Sequence, residues 1–529
     1  MVGSVLTVII GLLVASAPSA SAEDSMTDLG AFAYGKLVVE ADKVAVSIND
    51  RIVIADTTGE VKNTITGLSG AYGLAMTPDG TRLYAALQGT NEIAEIDTAT
   101  AAIIRRVDLA AYPCPSELVL TGERLWVGYG GCGDQGVLNL DLSEATPEPS
   151  PFETPLKSAP LMAAAGDTLV LGEVVSPGDL FVYDIGGAAP VLRGEIDGHA
   201  HSNYGLNDLA VTPDGSQVIS AFALPYSFDM WDARTLVKVR GYERQQFDGW
   251  PAGVAISSDG AYVAGVRKEG LEMTLYDAAS GAAIYTADTA EGQPVSENVQ
   301  FSGRDVFSLL RSPTDRLYLW RLHDVTLPAS TLTLTAEPGG TAHQPLTLTG
   351  RLTLEDGTAP GAQPLAVTRT LSGGAGAELP SVTTAADGTF TITDTPPTGG
   401  ENTYTVRWKG NDEHRWSKAS VTIVVRYPTT LTLSGPRSGV AGQRLVFSGT
   451  LRAEGTTLPR SGRLTVQRTR NDEGGETVSW PVSIGTTGSY VFSDTPGAGQ
   501  YTYTVQWNGD TRLGPAQAAQ DVTVYETAR

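Results

Sequence analysis

Residues 73–100 read GLAMTPDGTRLYAALQGTNEIAEIDTAT. An apolar run, a Pro-Asp-Gly turn, a second apolar run, a loop, a third run ending in Asp97 and another turn follow one another. Short apolar runs bounded by turn formers make strands rather than helices. The same pattern returns as DLAVTPDGSQVISAFALPYSFDMWDART at 208–235 and as GVAISSDGAYVAGVRKEGLEMTLYDAAS at 253–280. The turn glycines Gly215 and Gly260 lie 45 residues apart, and Gly80 and Gly215 lie 135 apart, which leaves room for two more units. Degraded copies fill that room, with turns at Gly122 and Gly166. One further copy follows, turning at Gly303, and one precedes, starting at Lys36.

Seven units of about 40–45 residues with four short strands each predict a seven-bladed β-propeller. Asp56, Asp97, Asp141, Asp184, Asp232 and Asp277 end the third strands and are expected to make Asx turns into the fourth. The seventh unit has Arg321 near that place and no fourth strand of its own. Residues 27–33, TDLGAFA, are expected to supply one and close the ring.

Beyond Pro328 the pattern changes. TLTLTAEPGGTAHQPLTLTGRL from Thr331 recurs as TLTLSGPRSGVAGQRLVFSGTL from Thr430, and TYTVRWKGND from Thr403 as TYTVQWNGD from Thr502. These are two tandem modules of alternating strands, expected to be Ig-like β-sandwiches anchored by Trp408 and Trp507. The fold class is therefore all-β throughout. The domains are expected at 1–22, 23–328, 329–427 and 428–529. The first is MVGSVLTVIIGLLVASAPSASA, an uncharged apolar stretch ending in Ala20-Ser21-Ala22, which reads as a secretory signal peptide. No membrane span is expected, because the apolar run is too short for one.

The two cysteines orient the propeller. In a blade whose strands run outward from the axis, the loop into the first strand and the loop between the second and third share a face. Cys114 lies in the former for the third blade and Cys132 in the latter, so a disulfide is geometrically allowed. An exported chain meets an oxidising compartment, and the pair is expected to be bonded. The same face collects the long loops and their aromatic, acidic and imidazole side chains. Candidate ligand-binding residues there are Tyr129, Glu173, His199, His201, Tyr204, Tyr226, Phe247, Trp250 and Glu297. Aromatics beside carboxylates suit sugar rings or a peptide; the competing reading is that they pack their own loops. His199 and His201 form H-x-H, but no third ligand is identifiable, so no metal is expected. No cofactor is expected either: neither G-x-S-x-G nor H-E-x-x-H occurs, and the tryptophans of quinoprotein docking motifs are missing.

The net charge is −23. Residues from Ala329 onward carry 17 acidic and 16 basic groups, and the part before them carries 42 and 20. Acidity of that size repels phosphate backbones, so nucleic acid is not an expected partner.

The stretches CPSELVL, LWVGYGGCG, NDLAVTPDGSQV, LTLTGRL and DGTFTITDTPPTGGENTYTVRWKGND resemble secreted actinobacterial proteins that join a WD40/YVTN-like propeller to Ig-like repeats. The resemblance implies architecture and secretion, and carries over no catalytic residue. The expectation is a secreted, non-enzymatic binding or adhesion protein. Its propeller would be the recognition head, its sandwiches a stalk, and its partner an extracellular or cell-wall protein or glycan. The alternative is a propeller lyase or hydrolase acting on a glycan or small natural product. A deep axial pocket with converging titratable groups would favour the enzyme, and a broad aromatic patch the binder.

Overall fold

The computed structural model describes residues 24–242, 249–372, 374, 376–459, 462–472 and 475–527. The leader expected at 1–22 and the candidate Phe247 lie outside the described residues. The chain divides into two compact units between Leu327 and Pro328. Strands dominate both, and the one helix among the described residues is Gly198–His201. None is long and apolar enough to cross a membrane.

The N-terminal unit is a β-propeller. Its repeat is plain in Tyr204–Val211, Gln217–Leu224, Phe228–Asp232 and Lys238–Tyr242, which pair antiparallel in sequence order. Turn chemistry sets the repeat. Gly215, at φ 72, takes the left-handed position that a side chain would strain, and Asp214 Oδ1 accepts from Thr212 Oγ1 (2.6 Å) and Ser216 N (3.0 Å). The aspartates ending the third strands make Asx turns. Asp232 Oδ1 accepts from Arg234 N and Thr235 N, Asp97 Oδ1 from Ala99 N and Thr100 N, and Asp141 Oδ1 from Ser143 N.

Four-stranded sheets of this order recur over 115–152, 160–196 and 250–287. Residues 37–108 form one six-stranded sheet, because Lys43–Asp56 and Val61–Met76 run on past bends at Asn49 (φ 54) and at Gly67 and Gly70. At each bend the pairing partner changes: Lys43–Val46 face Leu37–Glu40, and Arg51–Ala55 face Val61–Thr66. The last sheet is built from both ends of the unit. Gln293–Ser302, Asp305–Arg311 and Arg316–Leu322 supply three strands, and Ser25–Ala31 lies antiparallel on the outer edge. This strand was expected at 27–33. It ends at Ala31 because Phe32 leaves the ladder, its N–H donating to Asp315 O (2.9 Å).

Cores lie between neighbouring sheets. Ile219, Phe228, Met230 and Tyr242 of one sheet pack on Val254, Val263 and Tyr276 of the next. Middle strands face a core on both sides, so Leu83 to Leu87 are all buried. Cys114 and Cys132 are bonded, with Cα atoms 6.0 Å apart, next to the start of Pro115–Thr121 and the end of Arg124–Tyr129.

The C-terminal unit holds two successive pairs of sheets with the same strand order, three strands beside five. Trp408 and Trp507 are buried in their shared apolar cluster. Each pair also carries a half-buried polar clasp. Arg369 pairs with Asp394, which accepts from Tyr404 Oη (2.7 Å); Arg468, Asp494 and Tyr503 repeat the arrangement.

Candidate functional site

Five inner strands of the propeller slip register at their N-terminal ends. The slips fall between Ala71 and Leu74, Pro115 and Leu118, Leu206 and Asp208, Pro251 and Gly253, and Pro294 and Val299. A bulge re-aims a side chain that regular alternation would send into the sheet. The residues inside these slips include Tyr72, Glu117, Asn207, Ser296 and Glu297, of which Tyr72, Glu117 and Glu297 meet around Lys36.

Lys36 is the hub, 8% exposed. Its ammonium lies 2.8 Å from Glu117 Oε1, pairs also with Glu297, and stands 5.8 Å from the Tyr72 ring centroid. Gly35 makes the position possible, since a Cβ there would stand 1.8 Å from Ser47 O. Lys36 N then donates to Ser47 Oγ (2.8 Å). Glu297 holds φ 66, a left-handed backbone for a non-glycine residue, at a cost of about 1 kcal/mol or more. Beside it, Asn298 Nδ2 donates to Gly35 O (3.1 Å) and Ser296 O (2.6 Å).

Behind this cluster a channel of about 440 Å³ runs between the inner strands from Lys36 to Glu40. Asp208 faces it, accepting from Leu209 N (2.9 Å) and Val254 N (2.8 Å). Solvent touches part of Asp208, yet protein rings its carboxyl. That burial, only partly offset by Lys36, pushes its pKa up to about 7.

A groove of about 810 Å³ adjoins the mouth on the disulfide-bearing face. Its walls include Phe32, Tyr34, Lys268, Glu272, Ser296 and Arg311. Phe32 and Tyr34 meet edge to face at 4.9 Å, and Tyr34 is 66% exposed. The Arg311 guanidinium lies 4.5 Å from the Phe32 centroid and forks onto Asp315 at 2.8 and 2.6 Å. Lys268 Nζ donates to Ser296 Oγ (2.7 Å). Burial pushes the Lys268 ammonium below the usual lysine range and lifts the Glu272 carboxyl to about 7.

Of the residues singled out in the sequence, Glu297 lies in this cluster and Trp250 stands opposite Lys268 in the strand register. Trp250 and Tyr226 are half-exposed, and Tyr204 is half-buried. Tyr129 is buried edge to face on Tyr112. Glu173 is fully buried and accepts from Lys157 N (2.7 Å). His199 and His201 sit on the four-residue helix, capped by Asp197, with His201 4.8 Å from the Trp231 ring. Lys36, Tyr72, Glu117 and Asp208 were not anticipated. The available signal was a lone lysine immediately before the first inner strand, LVVE.

Among the described residues, Asp305, His323 and Asp324 lie close enough together to share a metal. Asp305 already accepts from Arg321 Nε (2.8 Å), lies 2.8 Å from His323 Nδ1 and accepts from Asp324 N (2.9 Å), which makes the group an ion-pair cluster.

No family model matches the chain, and no curated protein does. Among solved structures it is similar to the β-propeller domain of Myceliophteria thermophila Cps50 (Swd1), at 14% identity and TM-score 0.45, over 56% of this chain and 99% of that one. It is similar also to Kuenenia stuttgartiensis hydrazine synthase (15%, 0.44, over 54% and 94%) and to Kluyveromyces lactis Hsv2 (14%, 0.41, over 57% and 93%). The strand pairing gives the fold.

Proposed function

We propose that this is a secreted, extracellular or cell-wall-associated binding protein whose propeller recognises a glycan on its disulfide-bearing face. The propeller has seven blades in this reading, and two Ig-like sandwiches form the stalk. The recurring four-stranded sheets, and the bends that divide the six-stranded sheet in two, support the blade count. The paired three- and five-stranded sheets support the sandwiches. The leader-like residues 1–22 and the Cys114–Cys132 bond support export.

One observation carries the recognition face. The bulge over 295–298 holds strained backbone and buried polar groups at the channel mouth, beside a groove walled by the exposed Tyr34. Strain kept in place by surrounding structure collects at ligand sites. Binding of the full chain to a glycan and cell-wall array tests this. Tyr34→Ala is expected to weaken a positive signal by about 2 kcal/mol. A blank array, or full affinity in a folded Tyr34→Ala protein, sinks the reading.

The lyase or hydrolase alternative draws on a different observation. Lys36, Glu117, Glu297 and Asp208 bring titratable groups together at the axis, and Asp208 titrates near neutrality, where a general acid or base works best. Product release from a bound glycan, lost in Asp208→Asn, is the result that favours it.

A further inference from the structure

Cations of the propeller that are at least partly buried mostly have carboxylate partners. Lys36 has two, Arg321 has Asp305, Arg105 has Glu95, and Arg193 has Asp184. Lys268 differs. Among the described residues its ammonium donates to a neutral hydroxyl, Ser296 Oγ, and no carboxylate pairs with it. A partly buried charge without a counter-charge costs stability. In a unit with 42 acidic and 20 basic residues, a carboxylate was the easiest partner to supply, and none of the described residues supplies one.

We infer that Lys268 is the anchor for a carboxylate on the ligand, and that the ligand is a uronic-acid-bearing glycan lying in the groove with a sugar ring on Tyr34. The inference rests on the recognition role proposed above. The other groups of the groove fit this occupant. Arg311 is committed to Asp315 and to the Phe32 ring, so it forms a wall and leaves the ligand's charge to Lys268. Glu272, 6% exposed, accepts from Thr289 N (2.9 Å), and burial lifts its carboxyl to about 7. Burial thus favours its neutral form, which can donate an O–H, over a repelling charge. Gln293, Ser296 and Ser312 add neutral hydrogen-bonding groups for hydroxyls. The volume lies within the range of small-ligand clefts, roughly 300–1,000 Å³. A phosphate polymer would meet the acidic field of the whole unit, whereas one carboxylate per bound segment meets one ammonium.

The test titrates the full chain with cellobiouronic acid, which carries a single carboxylate, with its methyl ester and with neutral chitotriose. The acid is expected to bind about tenfold more tightly than the ester, the value of a hydrogen bond to a charged group. Lys268→Met should abolish that preference, the acid then binding no more tightly than the ester. Its melting temperature should equal or exceed that of the parent, because the apolar stem stays and the desolvated charge goes. Lys268→Arg should keep the preference. Equal binding of acid and ester, or a retained preference in Lys268→Met, overturns the assignment. Binding of chitotriose without the acid overturns it while leaving glycan recognition standing. Failure of all three probes, with a blank cell-wall array, overturns both.

Discussion

Lys36 concentrates more interaction than any other side chain at the channel mouth. It neutralises Glu117 and Glu297, which arrive from inner strands far apart in sequence, and it lies over Tyr72. Removing one partner of a buried ion pair leaves the other charge uncompensated, at about 3–5 kcal/mol. Lys36→Met should therefore destabilise the propeller by about that amount, read in a denaturant titration. Adding Glu117→Gln and Glu297→Gln should restore much of the loss. An unaffected Lys36→Met protein would mean that water, not protein, compensates these carboxylates. Cys114 and Cys132 stabilise by a different route, restricting the unfolded chain. Replacing both by serine should cost about 3 kcal/mol, and reductant should have the same effect on the parent.

At the scale of the element, the strand Ser25–Ala31 is the decisive piece. It covers the edge Arg316–Leu322 and pairs Asp28 with Arg316. An uncovered strand edge recruits other chains. Deleting residues 24–31 should open the ring and yield strand-exchanged dimers or aggregates, seen by size-exclusion chromatography. Adding the peptide SMTDLGA should return a monomer-sized peak, and a truncated chain that stays monomeric without it would refute the closure role. This strand was legible from sequence because its absence was: the unit around Gly303 lacked a fourth strand. The turns were legible for a local reason, since Pro-Asp-Gly and the strand-ending aspartates act within four residues. The channel mouth was not. Tyr72, Glu117 and Glu297 face it only because their strands slip register, and a slip is decided by packing against the neighbouring sheet. Glu297 looked like a loop residue for the same reason, and its candidacy came from its face, not its partner. Tyr129 and Glu173 shared that face in sequence, but their side chains turn inward.

For the whole molecule, the balance of carboxylates sets the pH of maximum stability. The turn aspartates Asp79 and Asp97 sit at about 2, held there chiefly by hydrogen bonds from Thr77 and Thr81 to Asp79, and from Thr100 and Arg82 to Asp97. Their folded values lie below the unfolded value of about 3.9. They stabilise the fold above about pH 4 and lose that contribution as pH falls through about 2. Asp208 and Glu272 act in the opposite sense, because burial holds both at about 7. Between about pH 4 and 7 the unfolded chain gives up their protons and the folded chain keeps them, so stability falls with rising pH and levels off above that window. The excess of acidic residues before Ala329 adds repulsion in the same direction. The propeller's transition should therefore be highest at about pH 4–5, lower at about pH 7.5, and lower again at about pH 2. Calorimetry with and without salt separates the causes. Repulsion between exposed charges is screened at about 1 M salt, whereas the burial of Asp208 and Glu272 is not. The decline that survives salt should disappear in the Asp208→Asn, Glu272→Gln double variant. A transition that rises from about pH 4.5 to 7.5 would show that neither carboxyl keeps its proton in the folded protein.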